Sequence, residues 1–381
     1  MSIKIRSNYK RRNKIKMLLI IMSSILILIL TMGVLFMEFS PQFGGKLTEK
    51  DYERIKKSKN FQKGKFKNIE DTHSMTSTDL RWIIEYFTSK DTTPNFSVPV
   101  ENSNLVSYNE DQGDNVKVIW FGHSALLLEI NNKKIFLDPM LSEVPAPHPM
   151  LGSKRFSTNL PMGIDEIPEL DAVVISHDHY DHLDYVSIKK LKDKVKMFYV
   201  PLGIGAHLKS WGVEETKIVE LDWWQEAKFE ELTFISTPSR HFSGRGLFNR
   251  DSTLWSSWVI KGKDVNIFFS GDSGYSESFK EIGEKFGPFD LTMIECGQYH
   301  EAWSKIHMMP EETVKAHIDL KGKLLLPIHW GAFKLSLHPW DEPVERLLKE
   351  ANSLNVSVTT PKIGETVILG KSVPSSEWWK K

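Results

Sequence analysis

Three histidines and three aspartates crowd into nine residues at 176–184, SHDHYDHLD. Imidazole nitrogens and carboxylate oxygens at that density suit a divalent cation. The spacing sorts them. His177 and His179, two apart where a strand exits, can point the same way and grip one ion, while Asp181 and His182, after the chain turns, can reach a second. H-x-H-x-D-H therefore reads as a two-metal motif. The competing reading is a polar loop in which an aspartate caps a helix beside surface histidines.

The elements that must position these groups are also legible. The run DAVVI at 171–175 is a buried strand feeding His177. Three further apolar runs lead to a potential ligand: LTFISTPSR to His241, NIFFSG to Asp272 and LLLPI to His329. Strand ends converging on one rim would gather these groups around a common point. Divalent ions held there would lower the pKa of water from about 15.7 toward 7 and stabilise charge building on the oxygens of a phosphodiester. The single cysteine, Cys296, excludes an internal disulfide and any cysteine-rich zinc module. Closing LTMIEC, it reads as a small buried hydrophobe.

From residue 117 strands predominate. VKVIWFGHSALLLEI and KKIFLDPM flank an Asn131-Asn132 turn like a hairpin, and KMFYVPLG, KIVELDWW, LWSSWVI, VSVTT and ETVILG continue the pattern. Helical periodicity appears at STDLRWIIEYFTSK (77–90, capped by Ser77 or Thr78), DYVSIKKLKDK, ESFKEIGEKFG, PEETVKAHIDL and DEPVERLLKEAN. Residues 94–115 read as a polar loop. The expected architecture is α/β, with two packed sheets and helices outside.

The opening motif, with FFSGDSGY (268–275) and PIHWGAF (327–333), resembles the metallo-β-lactamase-fold hydrolases. TPSRHFSGRG, LWSSWVI, GDSGY, HMMPEE and IHWGAF are similar to the N-acyl-phosphatidylethanolamine phospholipase D group, over residues 41–370. The resemblance implies an αββα sandwich of two mixed sheets and two zinc ions. His177, His179 and His241 would hold one; Asp181, His182 and His329 the other; Asp272 would bridge them. It further implies Asp272, His307 and Asp181 as catalytic residues, and Asp138 as the support of a metal-bound histidine, with a turn-forming Asp-Pro as the alternative. His123 would orient or pack rather than ligate. Ile306 stands where the mammalian type has glutamine, so substrate contacts there are expected to differ.

Residues 17–37, MLLIIMSSILILILTMGVLFM, carry no charge and at about 1.5 Å per residue reach roughly 30 Å, the hydrocarbon thickness. They read as an uncleaved transmembrane helix. Lys4, Arg6, Lys10, Arg11, Arg12, Lys14 and Lys16 precede it without an acid, which places residues 1–16 in the cytoplasm and the body outside the cell membrane. The whole chain has zero formal net charge, so the body is mildly acidic, which argues against a nucleic-acid partner. The expected organisation continues with a linker and helical extension (38–110), the hydrolase domain (111–371) and a tail (372–381). SSEWWKK in the tail is either an interfacial anchor or a segment packed back on the domain.

The expected protein is a membrane-anchored, dinuclear zinc hydrolase cleaving a phosphodiester, with a phospholipid or other small molecule as substrate. A lactonase or amidase using the same site is the first alternative, and a non-catalytic metal-binding envelope protein the second.

Overall fold

Successive residues of the strands are buried on opposite faces. Val118, Trp120, Leu126 and Leu128 enter one apolar cluster and Ile119, Phe121 and Leu127 another. A sheet covered on both sides explains why its strands read as continuous apolar runs rather than alternating ones.

The computed structural model describes residues 2–73, 81–102 and 116–380. The chain forms two compact units, Met1–Phe43 and Gly44–Lys381. The first contains helix α1 (Ser2–Phe39), whose stretch Asn13–Phe39 is long and apolar enough to cross a membrane by length and composition. The second begins with α2 (Glu49–Ile55), where Thr48 and Asp51 form a capping box. A short hairpin, β1 (Phe61–Gln62) and β2 (Lys65–Phe66), follows, then α3 (Arg81–Thr88). This helix falls within the expected 77–90; its expected caps Ser77 and Thr78, and part of the 94–115 loop, lie outside the described residues.

The first sheet contains β3 (Lys117–Trp120), β4 (Leu126–Ile130), β5 (Lys133–Leu137), β6 (Leu170–Val174), β7 (Val195–Pro201) and β8 (Ile218–Leu221). The second contains β9 (Glu226–Phe229), β10 (Leu232–Thr237), β11 (Ser257–Lys261), β12 (Asn266–Phe269), β13 (Leu291–Glu295) and β14 (Leu325–Ile328). A last strand, β15 (Thr366–Ile368), returns to pair with β3. The orders are β15-β3-β4-β5-β6-β7-β8 and β14-β13-β12-β11-β10-β9, and both sheets mix parallel and antiparallel pairs. The hairpin at Asn131-Asn132 is present, with both residues at positive φ.

Helices α4 (Tyr185–Leu191) and α5 (Gly205–Ser210) contribute Ile188, Leu191 and Leu208 to the outer cluster of the first sheet. Helices α6 (Ser278–Phe286), α7 (Pro310–Asp319) and α8 (Glu342–Ser353) contribute Ile282, Val314 and Leu347 to the cluster that includes the second sheet. This is the four-layer αββα arrangement.

Two local expectations differ from the structure. VSVTT forms a single bridge, Val358 to Leu325, rather than a strand: the Thr359 N–H still donates to the Leu325 carbonyl, but the Thr360 N–H and the Thr359 hydroxyl donate to the Pro374 carbonyl and the Thr360 hydroxyl to that of Ser376. LWSSWVI becomes strand only from Ser257, the preceding Ser256 N–H reaching across to the Ser176 carbonyl. The alternatives for the tail resolve toward packing. Trp378 and Trp379 are buried, Trp378 stacks 5.2 Å from Trp330, and its indole N–H donates to the Pro361 carbonyl.

Strand direction positions the site. Within the first sheet β3, β5 and β6 run the same way, and within the second β10, β12, β13 and β14 do. The residues just beyond the C-terminal ends of these strands are His123, Asp138, His177, His241, Asp272 and His329.

Candidate metal centre

At the end of β6 the chain leaves the sheet and the 176–184 stretch turns tightly, the His182 and Leu183 N–H groups both donating to the His179 carbonyl. Asp184 then caps α4 by accepting from the Val186 and Ser187 N–H groups. The helix-capping aspartate therefore exists, and it is a different carboxylate from Asp181.

The second sheet closes on this turn because Gly271 permits it. At φ +56° it occupies the left-handed region, and a Cβ there would stand 2.5 Å from Ser176 Cβ. Asp272 is thereby delivered against the histidines. Its Oδ1 lies 3.1 Å from His182 Nε2 and 3.2 Å from His329 Nδ1, and its Oδ2 lies 3.8 Å from both His177 Nε2 and His241 Nε2. His123, Asp138 and His329 all adopt positive φ, strain concentrated where the side chains converge.

Among the described residues, three groups of donors have atoms within 4.8 Å of one another: His177, His179, His241 and Asp272; His123, Asp181, His182 and His329; and Asp272, Glu295, His307 and His329. All seven expected ligand positions fall in the first two groups, and His123 joins the second. Its Nε2 is 2.9 Å from Asp181 Oδ2, so its immediate contact orients that carboxylate.

The surroundings fix which atoms face inward. His241 Nδ1–H donates to the Ile306 carbonyl at 2.9 Å, leaving Nε2 with its lone pair. Asp138 accepts from the Ser176 N–H (2.7 Å), the Ser176 hydroxyl and His182 Nδ1 (2.7 Å), leaving His182 Nε2 inward. His182 Nε2 and Asp272 Oδ1 are buried and neither makes a hydrogen bond, although they approach each other. With His182 neutral and its Nδ1–H given to Asp138 these are two buried acceptors, costly side by side without a cation or a proton to share. The donor set, imidazole nitrogens and carboxylate oxygens with their outer edges held, fits divalent metal ions.

Electrostatics agree. Burial, reinforced by neighbouring imidazoles, holds His177, His241 and His329 well below the usual histidine range, and burial takes His179 down to about 4. Neutral imidazoles are the form that ligates metal. His182 is the exception: burial opposes its charge, but Asp272 and Asp181 carry it well above the ordinary value. Burial would raise Asp181, and His182 and His123 outweigh it and pull the carboxyl well down. Burial pushes Asp272 up to about 6 against the pull of His182.

His179, Asp181, His241, Asp272 and His329 line a cavity of about 450 Å³ that also takes in Phe242, Arg250, Gln298 and His307. His307 Nδ1 lies 2.8 Å from Glu295 Oε2, and Glu295 Oε1 accepts the Met308 N–H at 2.8 Å. Burial drives Glu295 well above and His307 below their ordinary ranges. Glu295 is a site residue beyond the sequence-based expectations. The available signal was a carboxylate near the end of the apolar run LTMIEC. A second cavity of about 620 Å³ adjoins the first through His241, Phe242, Arg250 and Ile306.

Residues 133–330 match the family described as the beta-lactamase superfamily domain. An uncharacterised protein of Mycobacterium tuberculosis is 43% identical over 332 residues, covering 85% of this chain and 88% of that protein. The N-acyl-phosphatidylethanolamine-hydrolyzing phospholipase D 1 of Caenorhabditis elegans is 31% identical over 287 residues, covering 71% of this chain and 80% of that one. Among solved structures, an isothiocyanate hydrolase from Delia radicum gut bacteria has a TM-score of 0.53 at 21% identity, covering 66% of this chain and 98% of its own, a likeness of fold.

Proposed function

Because the chain belongs to the beta-lactamase superfamily, in the family of the N-acyl-phosphatidylethanolamine-hydrolyzing phospholipases D, we propose that this metallo-β-lactamase-fold hydrolase cleaves a phosphodiester in a phospholipid. The observation that carries the reading is the joining of two donor clusters through Asp272 beneath a cavity that His307 also lines.

In this reading His177, His179 and His241 would hold one zinc ion, Asp181, His182 and His329 would hold a second, and Asp272 would serve both. When bound, the ions supply Lewis acidity and lower the pKa of water. The chain's residues do the rest. Asp138 and the Ile306 carbonyl lock the His182 and His241 rings, so that few ligand rotamers remain to be ordered on binding. Asp272 would take the proton of the attacking water, and Asp181, whose carboxylate His123 contacts at 2.9 Å, would fix the side from which that water approaches.

His307 acts on the phosphate. The Met308 N–H holds Glu295 Oε1 as an acceptor, which directs Oε2 at His307 Nδ1. Burial favours the uncharged acid and the uncharged ring, so Glu295 donates to Nδ1 and His307 presents Nε2–H to the cavity. That donor can bond a non-bridging oxygen and stabilise the negative charge that builds there, a contribution on the order of 10²–10³-fold.

Helix α1 serves in this reading as a single-pass anchor, with the catalytic body outside the cell membrane. The purified, zinc-loaded full chain is expected to turn over a generic phosphodiester reporter, and Asp272→Ala to abolish turnover. Hydrolysis of a lactone with no phosphodiester cleavage would assign the site to carbonyl chemistry instead.

A further inference from the structure

Between β10 and β11 the chain makes an excursion over residues 243–252 that is braced at its base and bare at its tip. The Asp251 N–H donates to the Ser243 carbonyl at 3.0 Å, closing the loop, and Gly246 N–H bonds Asn249 Oδ1 at 2.7 Å. Gly244 N–H donates to Asp178 Oδ1 at 2.7 Å. Arg245 is buried, with Nη1 donating to the Asp178 and Leu183 carbonyls at 2.6 and 2.8 Å and its guanidinium 4.1 Å over the Tyr180 ring. The tip then turns Leu247 and Phe248 outward, 74% and 92% exposed.

Two large apolar side chains held in water by so firm a base are a standing cost unless something covers them. The loop is also joined to the site, because Phe242 before it and Arg250 within it line the catalytic cavity. Other exposed apolar groups edge the same region: Leu335 on that cavity and Ile69 on the adjoining one. Arg250, part-exposed at the rim with its guanidinium 4.0 Å over the Phe242 ring and Nε 3.7 Å from Asp251 Oδ2, is the cation of the loop that can meet a lipid phosphate.

We propose that this loop is a membrane wedge. Leu247 and Phe248 enter the boundary between headgroups and acyl chains, Arg250 stays at the level of the phosphates, and the cavity mouth is thereby set on the bilayer surface. The partner is lipid rather than protein because the chain carries its own apolar helix of membrane-spanning length and the arginine sits beside the apolar tip. The proposal rests on the reading of α1 as an anchor.

The test uses the full chain reconstituted into vesicles of phosphatidylethanolamine and phosphatidylglycerol. Phe248→Cys and Asp264→Cys each carry an environment-sensitive fluorophore; Cys296 is fully buried and leaves the introduced thiol as the accessible one. Asp264 is exposed in the β11–β12 turn, at the opposite end of those strands from the site. The label at 248 is expected to shift to the blue and to be quenched by lipids with nitroxide on the acyl chain, while the label at 264 is unaffected. Equal, water-like emission from both on vesicles that carry the protein overturns the wedge and leaves the tip to a protein partner. Failure of the chain to float with vesicles overturns the anchor as well.

Discussion

At the scale of the residue, the site depends on how its buried polar atoms are paired. Glu295 and His307 form a buried acid–imidazole pair in which one oxygen is committed to the Met308 N–H. A glutamine can reproduce that pattern, its carbonyl accepting from Met308 and its amide donating to Nδ1. Glu295→Gln is therefore expected to keep kcat within about tenfold of wild type, whereas Glu295→Ala and His307→Ala lose roughly 10²–10³-fold. Steady-state kinetics on a phosphodiester reporter checks this, and a dead glutamine variant would show that the carboxylate acts as an anion. The candidate ligand positions could be named from the sequence because His177, His241, Asp272 and His329 follow apolar runs and His179, Asp181 and His182 crowd the stretch that His177 opens. Glu295 could not, since its role depends on meeting Met308 and His307 from a different segment, a contact that no spacing rule encodes.

At the scale of the element, the site is an effect of strand direction. The strands that deliver its groups end on one rim of their sheets, so the donors meet without any long functional loop. Periodicity and apolar runs made these strands, and the four longer outer helices, readable before the structure. They did not reveal α5, six residues long, or β9, whose EAKF sequence has little apolar content. VSVTT misleads for the complementary reason: its β-branched residues favour a strand, but beyond the pairing with Leu325 the Thr360 N–H and both threonine hydroxyls turn to carbonyls of the tail. The approach of β6 to β12 can be tested at Gly271. Gly271→Ala adds a methyl against Ser176 at a positive φ, which is expected to destabilise the fold by about 1–3 kcal/mol. Because the strain falls between the two halves of the metal cluster, zinc affinity measured by competition with a chromogenic chelator is expected to fall too. Unchanged affinity in a folded variant would mean that the strand ends do not set the ligand geometry.

At the scale of the molecule, the chain separates into an apolar helix and a body with its own core. The Met1–Phe43 unit carries the membrane-length helix, and the body buries its apolar clusters without it. Cell fractionation follows directly: the full chain is expected in the membrane pellet after carbonate washing, and residues 44–381 in the soluble fraction. Full release of the intact chain by carbonate would remove the anchor from the account. A body held at a bilayer would meet a lipid substrate in two dimensions, and the braced loop at 243–252 would then decide how the cavity faces it.

The bond that is broken is the centre of the account, and oxygen tracing reads it directly. N-acyl-phosphatidylethanolamine is incubated with the zinc-loaded chain in ¹⁸O-water and the products are analysed by mass spectrometry. Attack at phosphorus predicts N-acylethanolamine and a phosphatidic acid that carries one ¹⁸O on its phosphate. Label in a released fatty-acid carboxylate, with no labelled phosphatidic acid, would contradict phosphodiester cleavage.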